Sequence, residues 1–334
     1  MTSANAPTPF ATTAAPEPPR RNRLSEQRPG GRVQSRPCLS PTDMSRSALV
    51  AFALVLSASA CQTTTPAPAT PGTADAEYAG EMRHQHDGET PAASGAAAMA
   101  PARAVVSETV TYATVGGRAV MGTLVRPRGG AANLPGLIVV HEWWGLNDNV
   151  RAMAARYAGE GYAVLAVDLY SGQAAQTPDA AMALMQAAFS APAASQGNLR
   201  QAHAFLAGRG APRVGVLGWC FGGNQSLQAA LALPTEIDAT VIFYGGNPPS
   251  DAAPLRALRM PILGLYGGAD SSIPVASVNA FEAALDAAGV DNEFVIYPGA
   301  DHAFANPSGQ SYQAAAAEDA WRRSTAFLAE NLNG

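Results

Sequence analysis

The distribution of apolar positions changes character near residue 105. Beyond it, short apolar runs alternate with longer stretches in which apolar residues recur every three or four positions, which predicts strands and helices respectively. The predicted strands cover 105–115, 118–125, 137–141, 163–167, 214–217, 240–244, 261–266 and 293–297. The predicted helices cover about 147–159, 178–190, 196–208, 222–233, 274–288 and 312–331.

The order of these elements predicts an α/β protein. Gly116-Gly117 separates the first two strands as in a hairpin, and the remaining strands alternate with helices. The stretch 137–141 is apolar up to its last residue, as in a strand buried on both faces. We therefore expect one domain over residues 102–334, with a mostly parallel central sheet flanked by helices. Its chemistry should gather at the carboxyl ends of the strands.

The first hundred residues carry little that could form a core. Residues 1–43 are rich in Pro, Ala, Thr, Ser and Arg without any apolar period, which predicts disorder. We interpret them as an over-extended gene start, with Met44 as the true first residue. Residues 62–101 are rich in Thr, Pro, Ala and Gly and are interpreted as a flexible linker. His84 and His86 are candidates for a stray metal ion, but a solvated linker is the favoured interpretation.

Residues 44–61 have the pattern of a secretory signal peptide. Arg46 supplies a positive charge, nine apolar residues follow from Ala48 to Leu56, and small residues precede Cys61. The end of this segment resembles the lipobox of bacterial lipoproteins, which makes Cys61 a candidate for lipidation. We expect an exported, periplasmic protein that is tethered to the membrane only through this lipid. Export without a lipid and a cytoplasmic location are the alternatives.

Composition excludes several classes of function. Charged residues make up 14% and apolar residues 47% of the 334, so the chain is not a charge-driven disordered protein. The net charge is −5, all 21 basic residues are Arg, and those in the last 233 residues form no cluster, which argues against nucleic-acid partners and against a cationic membrane surface. The three cysteines lie far apart without metal-ligand spacing, so neither a disulfide framework nor a bound metal is expected.

One cysteine lies in a distinctive turn. The strand at 214–217 runs into Gly-Trp-Cys220-Phe-Gly and then directly into a helix. This glycine-flanked strand–turn–helix has the form of a nucleophile elbow with Cys220 as the nucleophile. A place at a helix N-terminus also favours the thiolate form through the helix dipole. The alternative is a buried structural cysteine.

A cysteine nucleophile needs a base, and the base needs an acid that orients it. His302 lies in the loop after the last strand, and Asp270 lies just past an earlier strand end. The order Cys220, Asp270, His302 is the nucleophile–acid–base order of an α/β-hydrolase. Asp168 and Asp301 are competing candidates for the acid.

A further motif follows the first parallel strand, where this fold builds half of its oxyanion hole. The backbone N–H groups of Trp143 and Phe221 are expected to converge on a developing oxyanion. Glu142 is unusual beside a thiol, because a carboxylate opposes formation of the thiolate.

Together these motifs resemble the dienelactone hydrolase family of the α/β-hydrolase superfamily. The resemblance spans nearly all of residues 105–331. It rests on five motifs in order, which are His-Glu142-Trp-Trp-Gly-Leu-Asn147, Val167-Asp-Leu-Tyr170, Gly218-Trp-Cys-Phe-Gly-Gly223, Tyr266-Gly-Gly-Ala-Asp270 and His302-Ala-Phe304. It implies a catalytic triad of Cys220, Asp270 and His302, and a Glu142 that contacts the resting thiol and helps to deprotonate it when substrate binds. It also implies a monomer without a cofactor that acts on enol-lactones or other small esters.

Two departures from the family concern substrate binding. Family enzymes that open dienelactone bind its carboxylate with arginines, one of which normally lies four residues after the catalytic His, where this chain has Asn306. Another normally lies in the helical segment after the second motif, and residues 171–199 contain no Arg. We expect a hydrolase of small neutral esters or lactones that acts through a thioester acyl-enzyme. Acyl transfer or thioester cleavage on the same fold, and a non-catalytic exported lipoprotein scaffold, are the alternatives.

Overall fold

An eight-stranded sheet forms the centre of the structure, a computed structural model that describes residues 73–91 and 94–333. Its strands are β1 (Val105–Val115), β2 (Arg118–Pro127), β3 (Gly136–Val140), β4 (Ala163–Val167), β5 (Val214–Trp219), β6 (Ala239–Phe243), β7 (Ile262–Gly267) and β8 (Asn292–Tyr297). The described helices are α1 (Thr73–Gln85), α2 (Ser94–Ala97), α3 (Asp148–Gly159), α4 (Pro178–Phe189), α5 (Pro192–Ala207), α6 (Phe221–Ala232), α7 (Ala252–Leu255), α8 (Val275–Ala288) and α9 (Ala314–Leu332).

The sheet is mostly parallel, as the sequence predicts. Its strand order is β1-β2-β4-β3-β5-β6-β7-β8, in which β1 pairs with β2 and β2 with β4 in antiparallel fashion, while all other neighbours are parallel. Every residue of β3, β5, β6 and β7 is buried, which agrees with their continuously apolar sequences. The carboxyl ends of the parallel strands therefore meet at one edge of the sheet.

The region predicted to be a flexible linker differs from the prediction. Residues 73–91, here called the covering segment, contain α1 and pack on the domain. Tyr78, Ala79 and Met82 are buried in the main core, and His86 is buried too. The prediction of a solvated, flexible linker is therefore wrong for this part of the chain, because apolar residues at helical spacing find a partner surface in the distant domain.

The other N-terminal predictions stay predictions. Residues 1–43, the signal segment 44–61 and its candidate lipidation site Cys61 lie outside the described residues. Within residues 73–91 and 94–333, no helix has the length and apolar character that a membrane crossing requires.

Candidate active site

The turn between β5 and α6 has the strained geometry of a nucleophile elbow. Cys220 has a φ of 58° and a ψ of −121°, a conformation that costs free energy for a residue with a side chain. Its N–H donates to the carbonyl of Phe243 over 3.0 Å, which ties the turn to β6. A Cβ on Gly218 would lie 2.3 Å from the Gly222 carbonyl oxygen, and a Cβ on Gly222 would lie 2.4 Å from that of Val140. Only glycine fits at both positions.

The thiol of Cys220 is free but enclosed. The residue is 1% exposed and lies at the N-terminus of α6. Its Sγ lies 3.6 Å from the hydroxyl of Tyr78, which belongs to the covering segment. Burial and the neighbouring Cys220 raise the pKa of Tyr78 well above its ordinary value, so the phenol keeps its proton and can donate it in a hydrogen bond to sulfur.

His302 and Asp270 form a direct pair beside this thiol. His302 Nδ1 lies 2.7 Å from Asp270 Oδ2, and the two residues follow β8 and β7 respectively. The other oxygen of Asp270 accepts the N–H groups of Ser272 and Ile273 at 2.9 and 3.0 Å. His302 is 2% exposed, and its Nε2 has no hydrogen-bond partner among the described residues.

The groups around His302 make its ring more basic. Burial opposes protonation of His302, but the charge of Asp270 and the sulfur of Cys220 raise its pKa well above the ordinary value. Burial by itself would raise the pKa of Asp270, yet His302 and the backbone donors hold it below the ordinary value. The ring is thus a strong proton acceptor, as a general base must be.

Each of the two competing acids accepts hydrogen bonds from backbone N–H groups close to it in sequence. Asp168 accepts the N–H groups of Tyr170, at 2.8 Å, and of Gly172, which caps the turn after β4. Asp301 accepts the N–H of His302 at 2.7 Å and makes no side-chain pair with that ring. Asp270 alone of the three candidate acids reaches the imidazole within the described part of the chain.

A second buried histidine, His141, packs next to the site and contacts Phe221, which follows Cys220. Within hydrogen-bond distance of His141 lie the Glu142 carbonyl, 2.6 Å from Nδ1, and the Leu169 N–H, 3.2 Å from Nε2. Burial lowers the pKa of His141, which fits a neutral ring that donates through Nδ1 and accepts through Nε2. The ring also stacks on Phe221 with centroids 5.6 Å apart, so it helps to fix the residue that follows Cys220.

The two predicted oxyanion donors are backbone N–H groups that make no hydrogen bond among the described residues. Phe221 is the first residue of α6, so its N–H has no partner within the helix. Neither this N–H nor that of Trp143 is used in a hydrogen bond among the described residues. Their role as an oxyanion hole stays a prediction.

Glu142 is buried and bound to Asn306 rather than to the thiol. Asn306 Nδ2 donates to Glu142 Oε2 over 2.8 Å. Burial raises the pKa of Glu142 to about 7, although the charge of His302 works in the opposite direction. The contact between Glu142 and Cys220 that the resemblance implies stays a prediction, since the hydrogen-bond partner of the thiol is Tyr78.

Three side chains of the covering segment lie at the site, although the sequence analysis did not assign them to it. Tyr78 faces the thiol, and Gln85 Nε2 donates to Ser271 Oγ at 3.2 Å and to Asp270 Oδ1 at 3.5 Å. His86 packs on Trp143 with ring centroids 4.9 Å apart, and its Nδ1 lies 2.6 Å from Glu89 Oε2. The available signal was the spacing of Tyr78, Ala79 and Met82, which places three apolar residues on one helical face.

The described residues hold no group of three or more His, Cys, Asp or Glu side chains that could bind a metal ion. The chemistry that the arrangement can support on its own is nucleophilic, with an enclosed thiol, a basic imidazole and two free backbone donors. On such a sheet, with the strained turn after β5, this arrangement is that of an α/β-hydrolase.

The comparisons with known proteins narrow this class to one family. The sequence model of the dienelactone hydrolase family matches residues 120–332, and the chain belongs to that family. The family resemblance inferred from the five motifs is thereby confirmed, as is the α/β-hydrolase fold. The protein is accordingly a carboxylic ester hydrolase of the dienelactone hydrolase type.

Individual relatives agree with this assignment. A Saccharolobus solfataricus protein named "Putative carboxymethylenebutenolidase" is 32% identical over 230 residues, which are 58% of this chain and 88% of that protein. An Escherichia coli K12 protein of the same name is 33% identical over 223 residues, covering 59% and 78% of the two chains. A crystal structure titled as a "Putative Dienelactone Hydrolase" from Klebsiella pneumoniae superposes with a TM-score of 0.62 at 30% identity, covering 68% of this chain and all of that one.

Proposed function

We propose that this protein hydrolyses small neutral esters or lactones with Cys220 as its nucleophile, His302 as its base and Asp270 as the acid that orients the base. The observation that carries the proposal is the strained elbow at Cys220 together with the 2.7 Å pair of His302 and Asp270 at the same edge of the sheet. Elbow strain of this kind persists where the surrounding structure holds it, and it is concentrated at active sites.

The reaction proceeds in two displacements. His302 accepts the thiol proton, and the sulfur of Cys220 attacks the carbonyl carbon. The N–H groups of Trp143 and Phe221 stabilise the negative charge on the carbonyl oxygen. The C–O bond then breaks, and the alcohol leaves with the proton that His302 returns. Water, deprotonated by the same imidazole, attacks the thioester, releases the acid and restores the thiol.

Glu142 fits a role in activating the thiol. With a pKa of about 7, its carboxyl group is partly protonated at neutral pH and opposes a neighbouring thiolate less than a fully ionised group would. A group with this pKa also exchanges protons readily at neutral pH. The family resemblance implies that Glu142 helps to deprotonate the thiol when substrate binds.

The hydrogen bond of Asn306 and the exposed positions of two arginines support the preference for neutral substrates. Asn306 donates to Glu142, so this amide is already engaged. Arg200 and Arg209 are exposed on or beyond α5, and the guanidinium of Arg209 lies 3.5 Å from the ring centroid of Phe205. Neither Arg200 nor Arg209 is therefore placed to bind a substrate carboxylate. The proposed preference differs from the activity in the name of the relatives, carboxymethylenebutenolidase, which is that of a dienelactone-opening enzyme.

The test is phenyl acetate hydrolysis by the full chain and by Cys220→Ala. Loss of a nucleophile of this type costs about 10⁴-fold or more in turnover. We expect that loss in Cys220→Ala with an unchanged thermal melt, and wild-type turnover in the control variant Glu330→Ala, at an exposed residue of α9. Retained hydrolysis in a folded Cys220→Ala variant would disprove the assignment. Transfer of the acetyl group to an added alcohol or amine would support acyl transfer, and an inactive wild type would support a scaffold.

We also propose that the protein is exported as a periplasmic lipoprotein, on the strength of the signal-like pattern over 44–61. A chain expressed from Met44 should be processed at Cys61 and recovered from membranes with a lipid-sized mass increase at that residue. Intact mass spectrometry decides the matter, and an unprocessed soluble chain that still begins at Met44 would contradict export.

A further inference from the structure

We propose that Tyr78 occupies the leaving-group site of this enzyme, so that its substrates are esters of phenols and the covering segment is an internal competitor for them. The inference rests on the proposed function of Cys220 as nucleophile. It adds a substrate class and a device that limits access.

The Tyr78 side chain fills the space directly in front of the sulfur. It is 4% exposed, and its hydroxyl oxygen lies 3.6 Å from Cys220 Sγ. The ring packs against the backbone of Gly246, where an added Cβ would stand 2.1 Å from the ring carbon that bears the hydroxyl. Asn224 Nδ2 donates to the Gly246 carbonyl at 3.0 Å and holds that backbone in place. The site therefore contains a recess that accepts an aromatic ring with its oxygen turned toward the nucleophile.

The position of this oxygen matches the chemistry of an aryl ester. In a reactive complex the sulfur lies about 3–3.5 Å from the carbonyl carbon, and the bridging oxygen is bonded to that carbon. A bridging oxygen therefore lies at a distance from sulfur close to that of the Tyr78 hydroxyl. In the reaction the S–C bond forms, the bond between the acyl carbon and the bridging oxygen breaks, and the departing phenolate takes the thiol proton through His302. Tyr78 has no acyl group, so it occupies the site without being consumed.

Entry of a substrate requires the covering segment to withdraw. Cys220 is 1% and His302 is 2% exposed while Tyr78 is in place, so an ester has no path to the sulfur. The polar contacts of the segment with the domain include hydrogen bonds from Gln85 to Ser271 and Asp270. They also include an ion pair between the half-exposed Arg83 and the exposed Asp179, a type of contact that contributes little. The match to the family model begins at residue 120, so it does not include the covering segment.

The experiment measures how fast iodoacetamide modifies Cys220 in the full-length protein, by mass spectrometry of the peptide that contains it. An open state of a two-state protein is commonly populated at about 0.1–10%, which slows modification at least about tenfold. We expect Tyr78→Ala to raise the rate by about tenfold or more. Tyr78→Phe keeps the ring and should stay close to wild type. The matched control is Glu81→Ala, an exposed residue of the same helix, and should not change the rate.

A second measurement probes the recess itself. In Tyr78→Ala, p-cresol, which is the missing side chain as a free molecule, should protect Cys220 from iodoacetamide and compete with phenyl acetate. The non-aromatic 4-methylcyclohexanol should do neither. In the wild type p-cresol should protect Cys220 far less, because it must compete with Tyr78 for the recess.

The outcomes separate this inference from the proposed function. An alkylation rate in Tyr78→Ala equal to that of the wild type, or equal protection by the two alcohols, would overturn the inference. So would a loss of phenyl acetate turnover in Tyr78→Phe, since Tyr78 would then assist the reaction. Turnover that survives Cys220→Ala would instead overturn the proposed function, while the alkylation rates would still report whether the covering segment shields the thiol.

Discussion

Replacement of Glu142 by Gln should stabilise the protein while it impairs catalysis. Glu142 is buried, and its polar partner Asn306 donates to one carboxyl oxygen. A Gln side chain has nearly the same shape and keeps an oxygen that accepts this hydrogen bond. The substitution therefore removes a buried titratable group without opening a cavity, and its effect on stability depends on pH.

The size of the effect follows from the pKa of Glu142. Burial raises this pKa from its ordinary value of 4.5 to about 7, which corresponds to about 3 kcal/mol because one pH unit is worth about 1.4 kcal/mol. Below pH 4.5 the carboxyl group is protonated in both the folded and the unfolded chain. Between pH 4.5 and 7 the unfolded chain releases this proton and the folded chain retains it, so the wild type loses stability as pH rises. Above pH 7 the loss is complete.

The assay compares urea unfolding of the wild type and Glu142→Gln at pH 4.5, 6 and 8. The advantage of the variant should be close to zero at the lowest pH and about 3 kcal/mol at the highest. For a domain of this size that corresponds to a Tm increase of roughly 6–12 °C. The exposed Glu330→Gln serves as the control and should show no such trend. A difference between Glu142→Gln and wild type that stays constant over this pH range would refute the reasoning.

Three further predictions concern the elbow, the pair and the substrate. Gly222→Ala should lower stability by about 1–3 kcal/mol, because its Cβ would lie 2.4 Å from a backbone oxygen, whereas Gly197→Ala has open space and should be neutral or stabilising in a melt. Asp270→Asn should lower kcat by about 10⁴-fold and move the acidic limb of the pH–rate profile downward, because the carboxylate that raises the pKa of His302 is gone. Hydrolysis of phenyl acetate should exceed that of dienelactone by roughly tenfold in kcat/KM, and the reverse order would mean that an arginine reaches the pocket.

The strands and most helices of the domain were predictable because their signals are local. The apolar run at β3 and the glycines around Cys220 indicate their structure without information from distant residues. The observed bounds of the predicted strands and helices agree with the predicted ones to within four residues. α5 shows the largest difference, since it begins at Pro192 rather than near 196. Proline is well tolerated in the first turn of a helix, which explains the earlier start.

The covering segment could not be predicted in the same way. α1 has mostly polar and small residues, and the contacts that hold Tyr78 in place come from Cys220 and Gly246, more than 140 residues further along the chain. The bond between Asn306 and Glu142 is equally remote in sequence. Pairings of this kind depend on tertiary structure, whereas the positions of Asp270 and His302 after their strands follow from the order of elements alone.

The way the sheet is joined has a consequence for the folding of the chain. The groups that enclose Cys220 come from the covering segment and from loops that follow β3, β7 and β8, and parallel neighbours pair only after long connections have closed. Such non-local pairing is slow, so the enclosure forms late in folding. Until then the thiol is open to solvent and to oxidants, whereas in the finished structure it is shielded. A newly made chain is therefore most vulnerable to irreversible oxidation in the interval before these loops and the covering segment close around the sulfur.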